Sequence, residues 1–477
     1  MEKEKNSLLK NSIYNVSYKI LSVLFPLIMS AYASHIILAK GIGKVSSAQN
    51  IVQYFLLIAM MGIPEYGIRE IAKAKNKSKV FSELFIINFI STICWGIIYY
   101  FFVYYFGWFG EEKLYKIVGL TIFLNIINID WYYQGIEEYK YISVRSFWVK
   151  IISLIILLLI VNEENDYANY ALINILATSG NYILNIIYLK KNNIIISFKN
   201  IDLRTHLKSI FILLCTTVSI ELYTLLDVSM LTYFCSSEIV GYYTMAMKIP
   251  RMIIVAITGI SGVLLPRLSR YYSDGNFNEI NSVVNIIINI LVFFFVPLGI
   301  GICVVAPHLV IVLFGESFVP GIGTLRIASL LIYTLGFSNL FGTQILLTVG
   351  EEKKLLLSTI MGAFINICFN LILIPTFQQN GATLASVLSE GGITLLTMFY
   401  AKKYVKISVN RKILLISVIS TGMMGMVCVL TISKYSISIF SLFLTVFMGI
   451  VTYFITNVIL KNPIILMIRQ KAIEIKQ

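Results

Sequence analysis

The chain is short of charge. Only 13% of its 477 residues are Asp, Glu, Lys or Arg, against roughly 25% in a soluble globular chain. With 58% apolar residues and a mean hydropathy of +0.83, too little polar surface is left to clothe a globule in water. Disordered, collagen-like and disulfide-rich classes are excluded on the same ground. Cysteines are few and scattered. The six, at 94, 215, 235, 303, 368 and 428, lie in or beside apolar runs with no C-x-x-C spacing. This argues against a disulfide frame or a metal site and predicts small core residues. Catalytic signatures are missing as well. There is no G-x-x-x-x-G-K-[ST], H-E-x-x-H or G-x-S-x-G, and Gly41-Ile-Gly-Lys44 lacks the spacing and hydroxyl of a phosphate loop. No A-x-A-like site follows the first apolar run from Ser12, so that run reads as a retained span, not a removable leader.

What is present is a long series of apolar stretches near the ~20 residues that a membrane-crossing helix needs. They fall at about 12–38, 45–66, 80–106, 114–134, 143–161, 167–189, 209–234, 239–266, 280–305, 322–348, 355–375, 381–401, 413–433 and 437–460. Lipid cannot satisfy a free backbone, so these must be helices. The expectation is an all-α, polytopic membrane protein of about fourteen spans. Its weakest boundary is 305–321, where Pro307, His308 and Pro320 suit a re-entrant bend.

The basic residues test that count. Numbering loops alternately, thirty of the 38 Lys and Arg share a side with the N-terminus, among them Lys73, Lys75, Lys77, Lys140, Arg145, Lys150, Lys199 and Arg267. The opposite loops hold Lys40, Lys44, Lys113, Lys116, Arg326 and Lys434. Such an asymmetry puts both termini in the cytoplasm. The net charge of +14 then reflects topology and attraction to anionic lipid, not nucleic acid. The opposite loops are only about three to eight residues long. Their Glu111-Glu112 and Glu163-Glu164 read as solvated turns, not a glycosidase acid/base pair.

The chain also resembles itself. A shift of 198 superposes Gly43 on Gly241, Ala48 on Ala246 and Arg69 on Arg267, and a shift of 214 puts Glu137-Glu138 on Glu351-Glu352. These matches suggest two six-helix lobes, 1–200 and 201–408, related by a pseudo-two-fold axis along the membrane normal. Residues 409–477 would add two helices and a cytoplasmic tail. Transporters built from parallel repeats bind cargo near the midplane between the halves.

Intramembrane charges are costly, roughly 2.5–3.5 kcal/mol each on insertion scales, so each needs a partner or a wet cavity. Glu221 lies about 18 Å along the seventh span, and Lys248 and Arg251 about 14 and 18 Å along the eighth, beside Pro250. Asp227 lies two turns beyond Glu221. Two readings stay open: an ion-pair network that locks the helices, or a cationic cavity able to hold a phosphate-bearing head group. Asn50 and Gln53 correspond to Lys248 and Arg251 under the repeat shift and offer amides for hydroxyls. Lys19 is either a further cavity cation or a side chain snorkelling to the surface. Asp130 and Glu390 could carry a proton or pair with a neighbour. His35 and His308 are expected at the interface, and Glu65 and Arg69 as caps of the second span.

Several segments resemble a known family. Gly62-Ile-Pro-Glu-Tyr-Gly-Ile-Arg-Glu-Ile-Ala-Lys-Ala-Lys75, Asn128-Ile-Asp-Trp-Tyr-Tyr-Gln-Gly-Ile-Glu-Glu-Tyr-Lys140 and Val240-Gly-Tyr-Tyr-Thr-Met-Ala-Met-Lys-Ile249 are similar to the bacterial lipid-linked oligosaccharide flippases, the Wzx-type polysaccharide exporters. So are Val263-Leu-Leu-Pro-Arg-Leu268 and Asn380-Gly-Ala-Thr-Leu-Ala-Ser-Val-Leu-Ser-Glu390. Their superfamily includes the MATE multidrug antiporters and the lipid II flippases. The resemblance implies two six-helix lobes and an undecaprenyl-diphosphate-linked oligosaccharide turned across the bacterial plasma membrane for capsule, O-antigen or exopolysaccharide synthesis. It implies a cavity lined by cations, carried over here to Lys248 and Arg251. It implies a transporter; the missing catalytic motifs and short opposite loops argue against an enzyme, no cofactor or metal is expected, and with no ATP site energy would come from an H+ or Na+ gradient, the membrane potential or the cargo itself. Lipid-linked oligosaccharide, anionic lipid and the polysaccharide polymerase machinery are the expected partners. The rivals are a MATE-like drug or metabolite antiporter, a membrane enzyme of polysaccharide assembly and a non-transporting scaffold.

Overall fold

A computed structural model of the chain describes residues 2–107, 110–191, 201–261 and 264–474. Lys199 and Val263, and the side chains of Lys19 and Arg267, lie outside the described residues. The described chain is helical throughout and divides into two compact units, Met1–Gly241 and Tyr242–Gln477.

The first unit contains α1 (Glu2–Met60), α2 (Ile63–Lys73), α3 (Lys77–Phe106), α4 (Glu112–Leu124), α5 (Asp130–Gly135), α6 (Tyr139–Ile160), α7 (Tyr167–Lys191), α8 (Arg204–Phe234) and the first turn of α9 (Ser237–Ser261). At 1.5 Å per residue α1 would run about 88 Å, nearly three times the hydrocarbon thickness. It does not run straight, because Leu38 sits at φ 55° and ψ −176° and breaks it into two spans. The hydrogen bonds fix their directions. Ser143 donates to the carbonyl of Tyr14, Lys150 to that of Leu21, and Tyr32 to that of Val161, always 129 residues apart. The first half of α1 and α6 therefore run parallel. Its second half runs against α8, since Ser47 bonds Thr232 while Tyr54, farther along, bonds Ser229. These directions agree with an alternation of odd and even spans.

The second unit holds the rest of α9, α10 (Leu264–Ser273), α11 (Phe277–Phe314), α12 (Ile322–Ala328), α13 (Leu331–Ser338), a π-helical stretch Asn339–Leu346, α14 (Glu352–Ala401), α15 (Arg411–Lys434), α16 (Ile439–Ile459) and α17 (Pro463–Glu474). The fifty residues of α14 are likewise two spans, broken at Gln378, whose φ is 51°. The halves fold back on each other: Ser389 donates to the carbonyl of Gly362 at 2.7 Å, and Ile393 fills the space where Gly362 lacks a side chain.

Among the described residues eight helices are long and apolar enough to cross a membrane, or nine if Glu316–Ala328 and Leu331–Leu346, bent by 43°, form one. Two of the eight stretches, Leu21–Lys73 and Glu352–Ala401, each contain a break of the kind just described. The molecule is thus a multi-pass membrane protein. Residues 305–314 form no re-entrant bend; they are the end of α11, and the irregular segment begins only at the 3-10 turn Glu316–Gly321.

The order of elements repeats between the units. A short, strongly amphipathic helix, α2 or α10, precedes a long span, α3 or α11. The long span is capped by Asn76, whose side chain accepts the Lys79 N–H, or by Asn276, which accepts that of Glu279. Farther on, Glu138 N–H bonds the Tyr133 carbonyl after Glu137 at φ 60°, and Glu351 N–H bonds the Leu346 carbonyl after Gly350 at φ 76°. Each is the i to i−5 bond of a Schellman end. The turns superpose Glu138 on Glu351, one residue away from the match of the acidic pairs in the sequence.

Candidate functional site

In the second unit the cations expected to grip cargo lie on α9, which carries Pro250 within it. Lys248 is half-buried and Arg251 exposed, three residues apart and so on one helical face. Within their unit neither has a carboxylate partner among the described residues. Glu390 is buried at 4% exposure in the second half of α14 and has bonding partners of its own.

In the first unit Asn50 joins a polar seam between the second half of α1 and α8. Asn50 donates to Ser229 Oγ at 2.8 Å and to the Leu225 carbonyl at 3.2 Å; Tyr54 shares Ser229 at 3.0 Å, and buried Asp227 lies in the same turn of α8. Gln53, by contrast, is exposed and outside the seam. Glu221 is half-buried, and Thr224, one turn on, donates to its carboxylate at 3.4 Å. The seam closes tightly at its end. A Cβ on Gly43 would stand 1.7 Å from the Ser237 carbonyl oxygen, and one on Gly241 would stand 2.2 Å from that of Ala39. Only glycine allows this approach.

Asp130 sits in a denser network. Arg145 donates to its carboxylate at 3.0 Å, Asn185 at 2.6 Å, and Arg145 also bonds the Asn185 side chain. Tyr133 donates to the Asn185 carbonyl, and the Tyr141 ring lies 5.2 Å from the guanidinium. Asp130 is therefore neutralised in place. Lys150, one loop charge in the sequence census, lies eleven residues into the span α6 and is 7% exposed. Its ammonium donates to the Leu21 carbonyl at 3.1 Å and faces the rings of Tyr18 and Phe25 at 6.0 and 5.8 Å. Arg145, also counted as a loop charge, is 5% exposed. Both fall inside the expected fifth span, 143–161, near the end assigned to the cytoplasm, whereas α6 begins at Tyr139 and places Lys150 at its middle.

A second buried group escaped the sequence entirely. Tyr66 on α2, Glu83 on α3 and His206 on α8 are all less than 7% exposed. His206 Nδ1 is 2.8 Å from the Tyr66 hydroxyl, and its Nε2 is 3.0 Å from the Glu83 carboxylate. A neutral ring with its hydrogen on Nε2 satisfies both bonds. Glu83 also accepts the Asp202 N–H at 2.9 Å, which ties the approach to α8 onto α3. His308 differs from expectation too: it is 2% exposed, not interfacial, and neither ring nitrogen finds a partner among the described residues. Nor are the cysteines uniformly core: Cys428 is buried, but Cys94 and Cys215 are exposed. Among the described residues no three His, Cys, Asp or Glu converge to hold a metal ion.

This arrangement of broken and paired spans is a known transporter fold. The structure superposes on a lipid II flippase, MurJ, in an inward closed conformation with a TM-score of 0.76, 15% identity, and coverage of 96% of this chain and 100% of that one. An inward-facing MATE-family multidrug resistance transporter of the MOP superfamily gives 0.58 at 16% identity, over 82% and 94% of the two chains. In sequence, a putative O-antigen transporter of Shigella dysenteriae is 22% identical over 409 residues, 84% of this chain and 99% of that one. A probable low-salt glycan biosynthesis flippase, Agl15, of Haloferax volcanii is 24% identical over 250 residues, 51% of each chain. The chain belongs to the polysaccharide biosynthesis protein family, whose model matches residues 8–272.

Proposed function

We propose that the chain is a flippase, not an enzyme. It carries an undecaprenyl-diphosphate-linked oligosaccharide from the inner to the outer leaflet of a bacterial plasma membrane, for capsule, O-antigen or exopolysaccharide synthesis. The observation that carries the reading is the pair of cations on one face of α9, Lys248 and Arg251, near the middle of a helix read as the eighth span and without a carboxylate partner in their unit among the described residues. Cations so placed are expensive in hydrocarbon and repay the expense by gripping an anion. Arg251 suits forked contacts to phosphate oxygens and Lys248 acts as a point charge. Gln53, exposed on the first unit, offers an amide to sugar hydroxyls.

In this reading fourteen spans form two six-span lobes and an appended pair, with both termini in the cytoplasm. The head group crosses by alternating access while the prenyl tail stays in lipid, and Glu221, Asp227 or Glu390 carries any coupled H+ or Na+. The basic cytoplasmic loops hold anionic lipid, and a polymerase receives the product. The full-length likeness to O-antigen transporters supports this cargo over a drug, and two cations at mid-span disfavour the cationic compounds that a MATE-like exporter would carry.

The test is translocation of a fluorescent lipid-linked oligosaccharide in proteoliposomes. The wild type should flip it, and Lys248→Ala/Arg251→Ala should slow it by at least about tenfold, the equivalent of ~1.4 kcal/mol. Unchanged flipping in the double variant removes the cation assignment. A drug-resistance phenotype without flipping favours the exporter.

A further inference from the structure

On the first unit, beside the seam closed by Gly43 and Gly241, lies a hollow of about 310 Å³. Its wall is built from four elements and one turn: Lys44 and Ser47 on α1, Tyr115 on α4, Thr232 and Tyr233 on α8, Cys235 and Ser236 in the turn that follows, and Ser237 on α9. Among the described residues the only charged groups in the lining are Lys44 and Glu111, and they neutralise each other at 2.5 Å. Glu111 is oriented further by the Tyr167 hydroxyl at 2.9 Å, and the Tyr167 ring lies under the Lys44 ammonium at 4.6 Å. What the hollow offers, then, is no net charge and a high density of hydroxyls. Ser47 and Thr232 already bond each other at 2.8 Å, with Thr232 donating on to the Val228 carbonyl. Tyr233 stands at the rim, 75% exposed.

Hydroxyls both donate and accept, so a cluster of them matches a ligand that does the same. A tyrosine ring presents an apolar face with a polar edge, the complement of a pyranose. A neutral hollow of this size excludes phosphate and metal ions as preferred guests and accommodates a saccharide of one or two rings. We propose that this hollow is a saccharide subsite on the outer face of the first unit, which receives a neutral sugar of the cargo head group through hydroxyl hydrogen bonds and stacking on Tyr233. The inference rests on the flippase reading and on the outward placement of Lys44 and Glu111. Because Ser237 belongs both to the hollow and to the seam, a sugar lodged there lies against the contact that holds α1 to the start of α9.

Cys235 makes the hollow its own reporter. In the full chain with the other five cysteines replaced by alanine, a membrane-impermeant maleimide applied from outside reads access to this thiol. Burial pushes the thiol's pKa up, so labelling is done at about pH 9. The probes are N,N′-diacetylchitobiose, maltose and lactose, with glycerol at equal osmolarity as the control. At least one disaccharide should slow labelling by about fivefold or more relative to glycerol, and Tyr233→Ala or Ser47→Ala should restore the unprotected rate. The subsite is overturned if no disaccharide protects, or if protection survives both substitutions. Labelling needs no transport, so a protected Cys235 in a protein that flips nothing would leave the subsite standing and discard the flippase reading. Flipping without protection does the reverse.

Discussion

At the scale of the residue, the paired charges stand in two settings. Asp130 and Arg145 compensate each other through a direct bond and a shared Asn185. Removing one partner leaves the other's charge without its counter-ion in a largely buried setting, at a cost of up to about 3–5 kcal/mol, whereas removing both together costs far less. Arg145→Ala should therefore lower the thermal midpoint in detergent much more than Asp130→Asn/Arg145→Gln does. Equal losses would mean the pair is solvated. Glu351 shows the opposite setting, outside the spans. The Lys354 ammonium, and then the Tyr404 hydroxyl, hold its carboxyl below the ordinary carboxylate range. A depressed carboxyl contributes stability that is present above its unfolded pKa and is lost as pH falls through the lower folded value. Amide protection factors in 402–405 should thus drop a few-fold on acidification from neutral pH to below about pH 4. Glu351→Gln should be flat over that range.

At the scale of the element, the governing fact is how closely two backbones approach. Gly43→Val must push a side chain into the Ser237 carbonyl, and backbone cannot yield cheaply; the expected loss is about 1–3 kcal/mol or more. Gly301→Ala meets only the flexible end of Met424 at 3.6 Å and should be neutral or slightly stabilising, given the better helix propensity of alanine. Thermal unfolding of the two variants in the same detergent compares them directly. Hydropathy made the spans legible, because lipid demands long apolar helices whatever their packing. The charges set the expected topology in the same way. Breaks within helices were not legible: Leu38 and Gln378 adopt positive φ without being glycine, so no local signal marks them and tertiary packing alone holds them there. Asn50 could be singled out as a misplaced polar group, but its meeting with Ser229 on one seam needs the helix pairing. Lys150 and Arg145 escaped because a basic residue near the end of a span counts equally well as a loop charge, and only the packing of α6 on α1 shows them buried. His206 and Glu83 sit beside loops and look ordinary until Tyr66 closes around them.

At the scale of the whole molecule, one quantity reports on direction. A diphosphate-bearing head group moving outward across an inside-negative membrane gains up to ~2.3 kcal/mol per charge per 100 mV if it crosses the whole field. A potassium diffusion potential, negative inside, should raise the outward flipping rate severalfold in proteoliposomes, and reversing its sign should lower it. Indifference to both would mean that the rate-limiting step moves no net charge.

Three asparagines on one face of α11 hold the segment that leads into α15. Asn281, Asn285 and Asn289 accept the amide hydrogens of Lys406, Ser408 and Asn410 at 2.7, 2.8 and 2.9 Å, and Asn285 donates back to the Lys406 carbonyl. Four residues per step on the helix match two per step on the extended segment beside it, as the teeth of a rack match a pinion. The segment leading into α15 is therefore geared to α11 in a single register, and α16 is pinned to the same helix by Tyr453, which donates to the Phe293 carbonyl at 2.6 Å. The last hairpin is an outrigger lashed to one hull: whatever tilts α11 tilts α15 and α16 through the same angle.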